Sequence, residues 1–224
     1  SAAKPKVADY PFTTLVPNLG VVDIDRHRSF VMADIPGLIE GASEGAGLGV
    51  RFLKHLARTR YLLHLVDVVP IDGSDPVVNV EVIARELSRF SPTLAGLPRW
   101  LVLNKLDQVL PEEQDTLCED IVRRLNWQGP VFRASGLTGE GAMAICYRLM
   151  EAIERQRVLE AENPEAARQE QEKRQLLEQE SRLRIEELRD RQREAYRARK
   201  EAGLEHDDDE DWDDEDGPEV IYQR

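Results

Sequence analysis

Over the first 155 residues, apolar and polar positions alternate with two different periods, and the switches between them mark out a series of strands and helices. Residues 19–25 and the run Phe30-Val31-Met32-Ala33 are apolar and β-branched, and the polar Arg26-His27-Arg28-Ser29 separates them. That is the pattern of an antiparallel hairpin. Asp34 stands at the carboxyl end of its second strand. Gly37, Gly41, Gly45, Gly47 and Gly49 punctuate a loop, after which Val50, Leu53, Lys54 and Leu56 begin a helical pattern. Tyr61-Leu62-Leu63-His64-Leu65-Val66 reads as a buried strand. A helix over 78–90 follows, with Asp75-Pro76 at its start, and then the strand Trp100-Leu101-Val102-Leu103. A helix over 111–125, a short strand at Val131-Phe132 and a helix over 140–155 complete the series. This succession predicts an α/β fold, with a mainly parallel sheet wrapped on both faces and ligand loops at the carboxyl ends of its strands.

The pattern breaks off near Glu154. From there to Leu204 the chain is Glu, Gln, Arg and Lys with sparse apolar residues, and Leu176, Leu177, Leu183, Ile185 and Leu188 sustain no heptad seam. Opposite charges three or four apart predict a single, solvent-bathed helix rather than a coiled coil. The expected divisions are a globular unit over 1–155, a charged helical extension over 156–204 and a disordered acidic tail over 205–224.

Composition sharpens this division. One third of the 224 residues are charged and the formal net charge is −13, much of it from the acidic run at 207–216. Such a block repels itself and cannot condense into a core. It favours a basic protein surface over nucleic acid, and no sequence-specific DNA binding is expected. Cys118 and Cys146 lack the spacing of a disulfide framework or metal site, so both are read as buried thiols in a reducing compartment. No apolar run is long enough to span a bilayer, and the first residues carry no signal pattern. The expectation is a cytoplasmic monomer.

Three groups of residues carry candidate chemistry. In Asn104-Lys105-Leu106-Asp107, after a strand and before a helix, the Asp107 carboxylate suits the two adjacent N–H donors on the guanine edge. Asn104 is placed to bridge neighbouring loops, and the aliphatic stem of Lys105 to cover the flat base. The backbone N–H groups of Ser135-Gly136-Leu137 would donate to the guanine oxygen. Adenine would leave such groups unpaired, at a cost of about 1–3 kcal/mol each. An adenine-nucleotide enzyme with a coincidental Asp107 is disfavoured by the joint order of the motifs. Asp34-Ile35-Pro36-Gly37, before the glycine-punctuated loop, suits a segment that orders around a γ-phosphate, with the Asp34 carboxylate on a magnesium-bound water and Gly37 offering its N–H. In Phe12-Thr13-Thr14-Leu15-Val16, the Thr14 hydroxyl is the candidate magnesium ligand, since that ion prefers oxygen. His27, His55, His64 and His206 have no evident nucleophile or carboxylate beside them and are read as structural or solvated. No catalytic side chain is assigned.

The strings Ala8-Asp9-Tyr10-Pro11-Phe12-Thr13-Thr14-Leu15-Val16-Pro17-Asn18-Leu19-Gly20 and Asp34-Ile35-Pro36-Gly37-Leu38-Ile39-Glu40-Gly41-Ala42 closely resemble the Obg (CgtA) family of bacterial ribosome-associated GTPases. So do Gly45-Ala46-Gly47-Leu48-Gly49, Asn104-Lys105-Leu106-Asp107, the Ser135 turn and an acidic tail holding Trp212. The resemblance covers residues 1 to about 155. It implies a Ras-like P-loop GTPase sheet, GTP or GDP with Mg2+ as ligands, and a role in large ribosomal subunit assembly and the stress response. By position it makes Phe12, Thr13, Thr14, Leu15 and Val16 the effector loop, Asp34, Ile35, Pro36 and Gly37 the phosphate sensor, and Asn104, Lys105, Leu106 and Asp107 with Ser135, Gly136 and Leu137 the base pocket.

The chain departs from the family in two ways. It has no G-x-x-x-x-G-K-[ST] loop, so the sheet is expected to lack its first, central strand and the phosphate loop. The charged stretch at 154–204 is not typical of the family. A longer parent is therefore expected to be the active GTPase, and this segment alone to bind GTP negligibly. Leu38 follows Gly37 where Ras-type enzymes orient water with a glutamine, so slow intrinsic turnover is expected. The competing reading is a non-catalytic interaction module that engages a basic ribosomal or stress-response protein through its helix and tail.

Overall fold

The computed structural model describes residues 18–34 and 59–201. Strands β1 (Asn18–Asp23) and β2 (Ser29–Asp34) form the expected antiparallel hairpin, with Val21 opposite Val31 and Val22 opposite Phe30. Its turn is fixed by the Asp25 carboxylate, which accepts the backbone N–H groups of His27 and Arg28, both at 3.0 Å. Strands β3 (Leu62–Asp67), β4 (Arg99–Asn104) and β5 (Val131–Arg133) form a separate parallel sheet in that order. Leu62 pairs with Arg99, Asp67 with Asn104, and Leu101 with Val131. Among the described residues no strand joins hairpin to sheet.

Helix α1 (Pro76–Phe90) starts where expected because Pro76 suits the first turn and the Asp75 side chain accepts the Val77 N–H at 3.0 Å. Ser91 ends it and caps the short α2 (Pro92–Ala95), accepting the Leu94 N–H at 2.9 Å. In α3 (Pro111–Arg124), Glu112 and Glu113 lie in the first turn and Arg123 and Arg124 in the last, each matching the helix dipole. Helices α1 and α3 cover one face of the parallel sheet, where Val77, Val80, Cys118 and Ile121 pack on Val66, Leu101 and Leu103. Helix α4 (Ala142–Glu162) covers the other. There Leu149 and Met150 pack on Trp100 together with Phe30 of the hairpin, so one helix lies beneath both sheets. Trp100 stacks on Phe132 with ring centroids 5.3 Å apart. Cys118 is buried as expected, but Cys146 is only half-buried.

The charged stretch corrects the sequence reading twice. First, it is two helices, since α4 runs on to Glu162 and α5 spans Pro164–Glu201. Pro164 cannot extend α4, and the Asn163 side chain accepts the N–H groups of Glu165 (3.0 Å) and Ala166 (3.3 Å) to start α5 afresh. Second, α5 is not solvent-bathed throughout. Leu177, Ser181 and Ile185 form a buried i, i+4, i+8 stripe, and its two apolar members pack on Leu62, Leu87, Phe90, Leu94 and Leu97. Between them Glu180 accepts the Thr93 N–H (3.1 Å), the Thr93 hydroxyl (2.9 Å) and the Ser91 hydroxyl. Burial opposes its ionisation, but these hydrogen bonds outweigh it and hold the carboxyl below its ordinary range.

Candidate functional site

The parallel register brings three chain segments to the carboxyl edge of the sheet. Asp67 ends β3 directly opposite Asn104, which ends β4, and the loop after β5 carries Ser135, Gly136 and Leu137. This edge is where open α/β sheets hold ligands, because strand-end loops are free of ladder hydrogen bonding.

The two sequence-predicted groups meet there. The Asn104 side-chain oxygen accepts the Gly136 N–H at 2.8 Å, tying the β4 turn to the β5 loop across 32 residues of sequence. Backbone bonds reinforce the tie, with Leu106 N–H donating to the Ala134 carbonyl and Ala134 N–H to the Leu103 carbonyl. Ser135 is almost wholly buried, and its hydroxyl accepts the Thr138 N–H at 3.0 Å. The loop then closes through Gly141, whose φ of +76° suits glycine, and where an added Cβ would lie 2.1 Å from the Arg133 carbonyl oxygen. Only a residue without a side chain permits this approach.

The three amides expected to face a guanine oxygen are not equivalent. Ser135 N–H donates to the Glu140 carbonyl at 3.0 Å and Gly136 N–H to Asn104, so of the three only Leu137 N–H lacks an acceptor among the described residues. Asp107, in a single 3-10 turn (Leu106–Gln108), is exposed and has no partner among the described residues. Its carboxylate can therefore accept two parallel donors without first breaking an internal bond. Leu106, between the two polar positions, is buried and anchors the turn in the core.

Lys105 has left-handed backbone, with φ +68°, and its ammonium lies 2.7 Å from the Asp67 carboxylate. Sequence reasoning missed Asp67. The available signal was a charged residue closing the apolar run of β3 just as Asn104 closes that of β4.

The phosphate side is less complete. Asp34 is the last residue of β2. Phe12, Thr13, Thr14, Leu15 and Val16, together with Ile35, Pro36 and Gly37, lie outside the described residues, as does the acidic tail. Among the described residues no group of three or more His, Cys, Asp or Glu could hold a metal ion, and no helix is long and apolar enough to cross a membrane.

Residues 1–105 match the family described as 50S ribosome-binding GTPase. The chain is 60% identical to the GTPase Obg of Psychrobacter sp. (strain PRwf-1), over 99% of this chain and 55% of that relative. It thus spans about half the length of the curated relative it matches. A solved structure of nucleolar GTP-binding protein 1 from Plasmodium falciparum overlaps 68% of this chain and 79% of its own, with a TM-score of 0.43 and 17% identity, too loosely to bear on the fold.

Proposed function

This chain belongs to the Obg family of GTPases, and we propose that it supplies the guanine-reading part of a GTP-binding and GTP-hydrolysing switch. The observation that carries this reading is the Asn104–Gly136 bond, which ties the loop that holds Asp107, itself without a partner among the described residues, to the loop after β5. Asp107 would accept the two N–H donors of guanine, Leu137 N–H would donate to its oxygen, and the Lys105 stem would cover its face.

The phosphate end follows from the same reading. An oxygen-only set of the Thr14 hydroxyl and an Asp34-bound water fits Mg2+, which when bound neutralises charge on the β- and γ-phosphates. Gly37 would offer its N–H to the γ-phosphate, with Phe12, Thr13, Leu15 and Val16 forming the effector loop around Thr14. Leu38, apolar and without a proton acceptor, cannot orient the attacking water, so unassisted turnover is slow. β2 and β3 both pack on α4 without pairing to each other, which supports the view that a further strand and its phosphate loop belong between them in a longer protein. The large ribosomal subunit is the proposed partner and the cytoplasm the proposed location. The competing reading, a non-catalytic module, relies on α5 together with the acidic tail; the buried apolar stripe of α5 is already used within the chain, and the tail lies outside the described residues.

Asp107→Asn tests the guanine assignment in the complete protein that carries this chain. Asparagine presents a donor where guanine also presents one, while xanthine offers an oxygen there. Binding of GDP should fall at least 100-fold, the equivalent of about 2.7 kcal/mol, and xanthosine diphosphate should bind in its place. Unchanged GDP affinity in the variant refutes the assignment.

A further inference from the structure

We infer that Asp67 is a positioning residue for the guanine pocket, acting through Lys105. This rests on the reading above and extends it to a residue on a different strand. The Asp67 carboxylate does two jobs at once. One oxygen accepts the Val69 N–H at 3.0 Å and fixes the turn after β3, while the other lies 2.7 Å from the Lys105 ammonium.

Lys105 is therefore held at both ends. Its backbone is set in the left-handed region by the turn after β4, and its charged tip is set by Asp67 at the end of β3. The four-carbon stem between these points lies across the carboxyl edge of two neighbouring strands, beside Asn104 and two residues before Asp107. A lysine stem free in solution samples many rotamers, and a base could stack on it only after most of them were given up. The ion pair makes that selection before any ligand arrives. Both side chains are part-exposed, so the pair adds little to stability by itself. Its effect is to preorganise an apolar surface for a flat ring.

Asp67→Asn separates the two jobs. Asparagine keeps an oxygen for the Val69 N–H, so the turn survives, but it presents an NH2 group to the lysine ammonium and releases it. In the complete protein that carries this chain, GDP should bind roughly three- to tenfold more weakly to Asp67→Asn, as expected for one rotamer-rich side chain that must be ordered on binding. The loss should appear in KM for GTP. Asp67→Glu, which keeps the charge, should recover part of it. In a Lys105→Ala background the Asp67→Asn substitution should have no further effect, because the stem it positions is gone.

Equal GDP affinity of Asp67→Asn and the parent overturns the inference. So does an equal loss with and without Lys105, since Asp67 would then act on the fold and not on the stem. Failure of the unsubstituted protein to bind GDP would instead refute the guanine reading itself.

Discussion

His64 shows how a single buried side chain contributes to the acid response of this fold. It lies in β3, is buried, and its Nδ1 atom has no hydrogen-bond partner among the described residues. Burial, with a smaller contribution from the Arg99 charge, pushes its pKa down from 6.5 to about 4. The folded imidazole thus stays neutral where the unfolded one takes a proton. Above pH 6.5 both states are neutral and the residue adds no pH dependence. As pH falls from 6.5 towards 4 the unfolded chain alone gains the proton, so stability declines over that window by about 3 kcal/mol in all. Urea melts at a series of pH values should show this slope in the parent and its loss in His64→Leu. A slope that persists in the variant would assign it to other groups. Glu180, whose pKa is lowered, acts with the same sign at lower pH, because its contribution is lost as pH falls below the carboxylate range. The two effects are separated by which variant removes them.

At the scale of the element, α5 docks on α1 and α2 through a short buried stripe. Its apolar contacts with α1, α2 and β3 run through Leu177 and Ile185, with the Glu180 carboxylate joining the α2 end between them. Leu177→Ala removes a side chain packed among Leu62, Leu87, Phe90 and Leu94, and leaves a cavity that a docked helix fills only partly. The expected cost is about 2–4 kcal/mol, readable in chemical denaturation. The exposed Leu176, its immediate neighbour, should tolerate alanine within about 0.5 kcal/mol. Equal effects of the two substitutions would show that α5 does not dock in solution. This contrast was not legible in the sequence. One member of the docked stripe is Ser181, and its two apolar members, Leu177 and Ile185, look no different in sequence from the exposed Leu176 and Leu183 of the same charged helix. β4, by contrast, was legible because a strand buried on both faces reads as an unbroken apolar run. The base pocket was legible for a related reason, since polar residues at strand ends interrupt such runs abruptly. What sequence could not supply was the pairing of Asp67 with Lys105, or the particular amide, that of Gly136, to which the bridging Asn104 is tied, because each depends on register between distant strands.

The molecule as a whole is tied together unevenly. β4 is hydrogen-bonded on both sides, to β3 and β5, and Leu101 and Leu103 within it are fully buried. Among the described residues the hairpin pairs only with itself, and while Phe30 packs towards α4, Leu19, Val21 and Val31 on its other face remain exposed. A two-stranded ribbon is marginal alone, so the hairpin opens at lower cost than the parallel sheet. On the proposed reading this unevenness divides the labour of a switch. The guanine pocket rests on the rigid β3–β4–β5 unit, whereas Asp34 of the phosphate side ends the loosely tied hairpin. A ligand shared between the two would then stabilise the weaker unit more, because only that unit has local openings left to suppress. Native-state hydrogen exchange tests this directly. Without nucleotide, the paired amides of β1 and β2 should exchange at least tenfold faster than those of Leu101 and Leu103. In the complete protein that carries this chain, a GTP analogue with Mg2+ should slow hairpin exchange while leaving the β4 amides near the rate set by global unfolding. Hairpin amides as slow as those of β4 before nucleotide is added would show one cooperative unit and remove the structural basis for the division.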